Sequence, residues 1–313
     1  MKKLSIIIPC FNEEKSLPFF YEALNKALVE MSSVEFEFLF VDDGSEDMTL
    51  KFLRDLFKKD SRVRYISFSR NFGKESAIFA GLENATGDYI AIMDADLQDP
   101  PSLISKMYEI VASDEYDCAC TRRVSRKGEP RIRSFFAKSF YRFINRISKT
   151  KIIDGARDFR LMNRKMVNAI LSMCEYNRFS KGIFGWVGFR IKWLEYDNIE
   201  RFAGETKWSF WKLFKYSIEG IIAFSTIPLA IASVVGVILF IISIIMIIFI
   251  IIRTLIWGDP VAGWPTLVCI VFFVGGVQLL CTGIASQYIA KTYYEVKKRP
   301  LYLTQETEKD IKN

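Results

Sequence analysis

The sequence predicts an α/β protein built on a doubly wound, mostly parallel sheet and continued by two membrane-spanning helices. Three observations predict it. Five short apolar runs, at 4–8, 36–41, 63–68, 89–93 and 116–121, alternate with segments of helical spacing, as strands and covering helices do in a parallel sheet. Each run ends in a polar cluster, and such sheets bind ligands beyond the carboxyl ends of their strands. Two windows, 220–252 and 260–290, contain no charged residue; each exceeds the roughly 20 apolar residues that cross a bilayer.

The first run leads into Pro-Cys-Phe-Asn-Glu-Glu, and Leu17, Tyr21, Leu24 and Leu28 then follow helical spacing. The second ends in Asp42-Asp43-Gly44-Ser45, the third in Ser-Arg-Asn-Phe-Gly and the fifth in Arg122-Arg123. No G-x-G-x-x-G and no Walker A motif follows the first strand, so neither a nicotinamide fold nor a P-loop is supported. The chain has no histidine, and its six cysteines (Cys10, Cys118, Cys120, Cys174, Cys269, Cys281) form no C-x-x-C pair. That argues against zinc and fits a reducing cytosol.

The soluble domain is expected over 1–200, ending near 196–202. Within it, 131–149 carries Phe136, Phe140, Phe143, Ile144 and Ile147 at helical spacing, and every charge there is basic; it reads as a helix lying in the membrane interface. Residues 201–227 form a juxtamembrane amphipathic segment with Trp208 and Trp211 beside Lys207 and Lys212. The transmembrane hairpin is expected over 228–289, with spans at about 229–252 and 266–288. The tail, 290–313, is expected to be loosely ordered after Pro300. Lys and Arg flank the hairpin on its outer sides, while the loop between the spans holds one Arg and one Asp. Both termini and the soluble domain are therefore expected in the cytoplasm, on a multi-pass protein of the inner (plasma) membrane. The net charge of +7 sits beside the apolar segments, which points to anionic membrane lipid and not to nucleic acid.

The fourth run enters "DADLQDPP", where Asp94, Asp96 and Asp99 crowd three carboxylates into six residues. Their repulsion and lost hydration need compensation. Asp94-x-Asp96 at a strand end is a hard oxygen set suited to Mg²⁺ or Mn²⁺ shared with substrate phosphates. Asp42, closing a neighbouring strand, suits hydrogen bonds from a ribose or base. "TRRVSRKGEPRIR" supplies Arg122 and Arg126, with Gly128 and Pro130 marking a loop; it reads as a lid over phosphates.

"SIIIPCFNEE", "FLFVDDGSEDMT", "SRNFGKESAIFAGL" and "MDADLQDP" resemble the GT-A family 2 glycosyltransferases. "DFRLMNR", "NRFSKGIFGWVGF", "RFAGETKWSFWKL" and "QYIAKTYYEVKKRPLYL" narrow the resemblance to bacterial polyprenyl-phosphate (bactoprenol) glycosyltransferases, relatives of dolichyl-phosphate mannose synthases. One departure is Ser286-Gln287-Tyr288-Ile289, where the family has Gly-Glu-Tyr-Ile.

The resemblance implies inverting transfer of a hexose from a UDP-sugar, UDP-glucose first and UDP-N-acetylglucosamine second, to undecaprenyl phosphate at the cytosolic membrane face. It implies that Pro9, Asn12, Glu13 and Asp42 line the uridine pocket. Asp94 and Asp96 would sit at the metal and diphosphate, and Gln98 and Asp99 would approach the sugar. Asp158 falls where the family places its candidate base, and Arg201 and Lys207 match basic positions near the acceptor phosphate. A separate flippase and an external-face glycosyltransferase would act downstream, and the spans leave room for a homo-oligomer. A lipid monophosphate is largely dianionic at neutral pH, so Asp158 is expected to orient groups more than to remove a proton. A processive polysaccharide synthase would need a Q-x-x-R-W signature that the chain lacks. A non-catalytic nucleotide-sugar-binding protein is the alternative of a different class; the presence of Asp42, Asp94, Asp96 and Asp158 argues against it.

Overall fold

The computed structural model describes residues 1–123, 156–173, 175–176, 178–196, 227–257 and 263–310. The first half alternates as expected: β1 (Lys2–Cys10), α1 (Leu17–Leu28), β2 (Val34–Asp42), α2 (Thr49–Lys59), β3 (Val63–Phe68), α3 (Lys74–Asn84), β4 (Tyr89–Ile92), α4 (Leu103–Ala112) and β5 (Cys118–Arg123). There follow β6 (Ala156–Asn163), α5 (Arg164–Leu171), α6 (Ser180–Trp186), β7 (Ile191–Tyr196), α7 (Ile227–Trp257), α8 (Trp264–Lys297) and β8 (Thr304–Thr307).

The central strands are apolar on both faces because both are covered. On β1, Leu4, Ile6, Ile8 and Cys10 face one layer with Leu17, Phe20 and Leu24 of α1 and Ile104 and Met107 of α4. Ile7 faces the other layer with Leu39, Ile66 and Ile78. Along α1 the buried stripe is Leu17, Phe20, Leu24 and Leu28. Tyr21, expected on that stripe, lies at its edge and donates its hydroxyl to Asp60.

The eight-stranded sheet runs β7-β5-β6-β4-β1-β2-β3-β8. β1 pairs in parallel with β2 and β4, in registers that match Cys10 to Asp42 and Ile7 to Ile92. The carboxyl ends of these strands therefore lie side by side, and Asp94 comes two residues after β4 ends. The sheet is more mixed than the sequence predicts. β6 enters antiparallel between β4 and β5, β7 pairs in parallel with β5, and β8 pairs antiparallel with β3.

The expectation of a loosely ordered tail is corrected. After α8 the chain returns to the sheet edge: the Leu303 carbonyl accepts from the Ser69 amide at 2.9 Å. Tyr302 stacks on Phe68 with ring centroids 4.8 Å apart. Glu306 accepts from Arg54 Nε at 2.8 Å, and Glu308 accepts from Arg64 Nε at 2.8 Å. A polar sequence is ordered here by partners more than two hundred residues away.

Among the described residues, α7 and α8 are the two helices long and apolar enough to cross a membrane by length and composition. Ile231, Val234, Ile238, Ile241 and Ile245 of α7 are each about half exposed; surface this apolar marks a contact with protein or membrane. Both helices exceed the expected spans, and α8 continues to Lys297. Near its end the Glu295 carboxylate accepts the Tyr176 amide at 2.9 Å, and Tyr294 stacks on Tyr176. This contact joins the membrane helix to the sheet domain. The interfacial helix expected over 131–149 lies outside the described residues, as does the juxtamembrane segment up to residue 226.

Candidate active site

Four consecutive residues after β3 tie the site together. The amides of Phe72 and Gly73 donate to Asp43 Oδ1 at 2.7 and 3.1 Å, and Gly73 also reaches Oδ2 at 3.0 Å. Gly73 has φ of +97°, a conformation that only glycine adopts readily. Gly44, beside Asp43, has φ of +69°, and a Cβ there would strike the Arg70 backbone. Next comes Lys74, whose ammonium lies 2.7 and 2.8 Å from the two oxygens of Asp94 and 2.6 Å from Asp158 Oδ2. Glu75 then accepts from the Ser180 amide at 2.9 Å and from its hydroxyl, fixing the start of α6. Thus β2, β4, β6 and α6 are all held by "FGKE".

Lys74 is the main residue that the sequence reading missed. Three acidic site residues need a positive counterpart, and a lysine closing the third strand-end cluster was the available signal.

Asp158 lies among cations. Burial alone would raise its pKa, but Lys74, Lys181 and Arg160 outweigh that and hold the carboxyl far below the usual carboxylate range. A carboxylate so stabilised is a poor proton acceptor. Arg160 itself is buried; it donates to the backbone carbonyls of Asp158 and Arg157 and lies 3.5 Å over the Phe184 ring.

Asp99 is placed differently from expectation. It was expected to approach the sugar, yet it is fully buried. Its Oδ1 accepts from Arg157 Nε at 3.0 Å and from the Tyr196 hydroxyl, while Oδ2 has no hydrogen-bond partner among the described residues. Burial raises its pKa against the pull of Arg157. Arg157 also donates to Gln98 Oε1 at 3.2 Å. Asp99 and Gln98 thus position Arg157, another site residue that the sequence reading missed.

The side chains expected around uridine meet at the ends of β1 and β2. Pro9 pairs with Val41 across the ladder. Asn12, in the left-handed region at φ 54°, receives the Glu46 amide on its side chain, and its own amide donates to Ser45 Oγ. The Glu13 amide donates to Thr49 Oγ1, and its carboxylate accepts the Ser16 hydroxyl. Asp42 is buried and accepts from the Ser45 amide at 3.1 Å and the Ser67 hydroxyl at 2.8 Å. These bonds lock the two strand-end loops together.

Arg122 belongs to β5 and not to a loop; its guanidinium pairs with Glu195, its register partner on β7. Arg126, Arg201 and Lys207 lie outside the described residues.

A divalent cation fits the Asp94 side chain in kind: both its oxygens already take a cationic ammonium, and hard oxygens suit Mg²⁺ or Mn²⁺. Asp96 Oδ1 accepts the Gln98 amide at 3.1 Å. Among the described residues no three Asp, Glu, Cys or His side chains converge as a metal-binding group.

Residues 5–171, just over half of the chain, match the model of glycosyl transferase family 2. The chain belongs to glycosyl transferase family 2. As a family 2 glycosyltransferase it has full-length relatives. It is 44% identical over 306 residues to the putative glycosyltransferase CsbB of Bacillus subtilis (strain 168), covering 97% of this chain and 91% of that one. It is 41% identical over 307 residues to the prophage bactoprenol glucosyl transferase homolog of Escherichia coli (strain K12), covering 98% and 100%. It is 40% identical over 301 residues to the bactoprenol glucosyl transferase of Shigella phage SfII, covering 96% and 97%.

Proposed function

We propose that this glycosyltransferase moves a hexose, UDP-glucose being the first-choice donor, onto polyprenyl (undecaprenyl) phosphate at the cytosolic face of the membrane. The observation that carries the reading is one chain holding both an acidic strand-end site and two long apolar helices, joined through Glu295 and Tyr176. A donor that is soluble and an acceptor that is a lipid would need that combination. Relatives named for bactoprenol and glucosyl transfer, aligned over nearly the whole chain, support it.

The roles follow from placement. The loops pinned by Asn12, Glu13 and Asp42 would seat the nucleotide at the ends of β1 and β2. Asp94 and Asp96 would hold Mg²⁺ or Mn²⁺, which supplies charge neutralisation for the diphosphate and the leaving UDP. Arg157, steadied by Asp99 and Gln98, would face substrate phosphate or sugar. Arg122, with Arg126, Arg201 and Lys207, would offset the acceptor phosphate, because two polyanions repel strongly in a cleft of low dielectric. The acceptor phosphate is itself the nucleophile, so inversion needs no protein base, and Asp158 would orient Lys74. By this reading both termini are cytoplasmic, and a flippase and an external-face transferase consume the product.

The test is mass spectrometry of the lipid product made by the purified full chain in lipid nanodiscs, given undecaprenyl phosphate, Mn²⁺ and a panel of UDP-sugars. A hexosyl monophosphate lipid, made best from UDP-glucose, is expected. UDP-N-acetylglucosamine outrunning it would overturn the sugar assignment, and no lipid product from any donor would overturn the reaction.

A further inference from the structure

The Lys74 ammonium occupies the place at Asp94 that a divalent cation is proposed to take. It touches both Asp94 oxygens, at 2.7 and 2.8 Å, so neither is free while the lysine stays. A Mg²⁺–oxygen bond to Asp94 needs about 2.0–2.1 Å, and like charges repel at that range. The lysine also has a second seat: Asp158 Oδ2 lies 2.6 Å from the same nitrogen. A small swing would release Asp94 without stripping the ammonium of its partner. The backbone of the lysine does not share that freedom, since Asp43 holds the two preceding amides and Glu75 holds the start of α6.

We propose that Lys74 is an internal counter-cation that keeps the free enzyme from loading metal, so that the metal enters together with the nucleotide diphosphate while Lys74 retires to Asp158. This rests on the metal role given to Asp94 and Asp96 above. Charge supports it. Lys74 compensates Asp94 and Asp158 before any ligand arrives, and a metal that enters with a diphosphate brings its own counter-charge. A cation entering alone would face the Lys74 ammonium directly, and among the described residues no group of three Asp, Glu, Cys or His side chains converges to hold it. Lys181 and Arg160, which also act on Asp158, keep that carboxylate compensated in either position of Lys74.

The experiment is Mn²⁺ titration of the purified full chain in detergent, read by the electron paramagnetic resonance signal of free Mn²⁺, with and without UDP. Wild type is expected to bind Mn²⁺ at least tenfold more tightly with UDP than without it. Lys74→Met should bind Mn²⁺ alone at least tenfold more tightly than wild type, shrinking the effect of UDP, whereas Lys74→Arg should keep the wild-type pattern. Asp158→Asn, which weakens the second seat, should lower the Mn²⁺ affinity measured with UDP present. Equal nucleotide-free affinities for wild type and Lys74→Met, alongside UDP-dependent binding in both, would overturn the counter-cation role alone. No binding by wild type even with UDP would overturn the metal reading itself and this inference with it.

Discussion

Arg157 Nε lies 3.0 Å from Asp99 Oδ1, and the carboxylate it meets has no exposed side-chain surface at all. Arg157 keeps 22% of its side chain exposed. The pair is therefore unequal, and its two halves should fail differently. Arg157→Ala strands a buried carboxylate and should cost about 3–5 kcal/mol. Asp99→Asn leaves a neutral acceptor behind and should cost only about 1–2 kcal/mol. Thermal melts of the detergent-solubilised variants check this order; equal losses would mean that the pair is not the anchor described.

Two buried carboxylates shift in opposite directions, and stability should follow each. Burial pushes Asp43 up to about 6 from an ordinary 3.8, despite the Phe72 and Gly73 amides. A raised carboxyl favours the protonated folded state, so its contribution is complete below pH 4 and declines as pH rises through 6. Burial also opposes ionisation of Glu37, but Ser5, Thr86 and Arg64 hold it down to about 2 from 4.5. That contribution is present above pH 4.5 and vanishes as pH falls through 2, and its shift corresponds to about 3 kcal/mol. Melting temperature against pH should therefore fall less steeply on the acid side in Glu37→Gln and decline less between pH 4 and 6 in Asp43→Asn. A variant retaining the wild-type slope would contradict the assignment for that residue.

The tail should matter although it lies far from Asp94. Tyr302 covers Phe68 and donates its hydroxyl to Glu83 at 2.6 Å. Tyr302→Ala should lower stability by about 1–3 kcal/mol. Hydrogen exchange should then quicken in residues 66–74, the strand end and loop that lead to Lys74. Unchanged exchange there would show that β8 is only an ornament of the sheet edge.

Asp158 is expected to orient and not to deprotonate. Asp158→Asn should keep the acid limb of kcat/KM near pH 6, because that limb belongs to the second ionisation of the lipid phosphate. The loss should stay below about 100-fold, the lower end of what a general base contributes. A pH profile with its limb abolished and a loss beyond about 1,000-fold would restore the role of base.

Much of this was legible from sequence where burial is symmetric. The five runs read as strands because β1, β2 and β4 need apolar residues on both faces. β6 did not, since Arg157, Asp158 and Arg160 interrupt its apolar positions to serve the site. β7 hid because an edge strand needs little apolar alternation. β8 reads as a polar tail because its order comes from Arg54, Tyr65 and Arg64, not from its own propensity. The acidic residues could be listed from motif spacing; which of them are buried could not. Asp99 and Asp96 look alike in "DADLQDPP", yet only Asp99 is sealed beneath Arg157 and Tyr196. The reach of Lys74 to two strands is likewise a tertiary fact.

The claim on which the rest depends is that Asp94 and Asp96 grip a divalent ion bearing a nucleotide-linked sugar. Calorimetric titration of UDP-glucose into the purified full chain, with and without Mn²⁺, measures this most directly. The account predicts binding that requires Mn²⁺ and weakens by at least tenfold in Asp94→Asn and in Asp96→Asn. Binding of equal strength without metal, or in both variants, would contradict it.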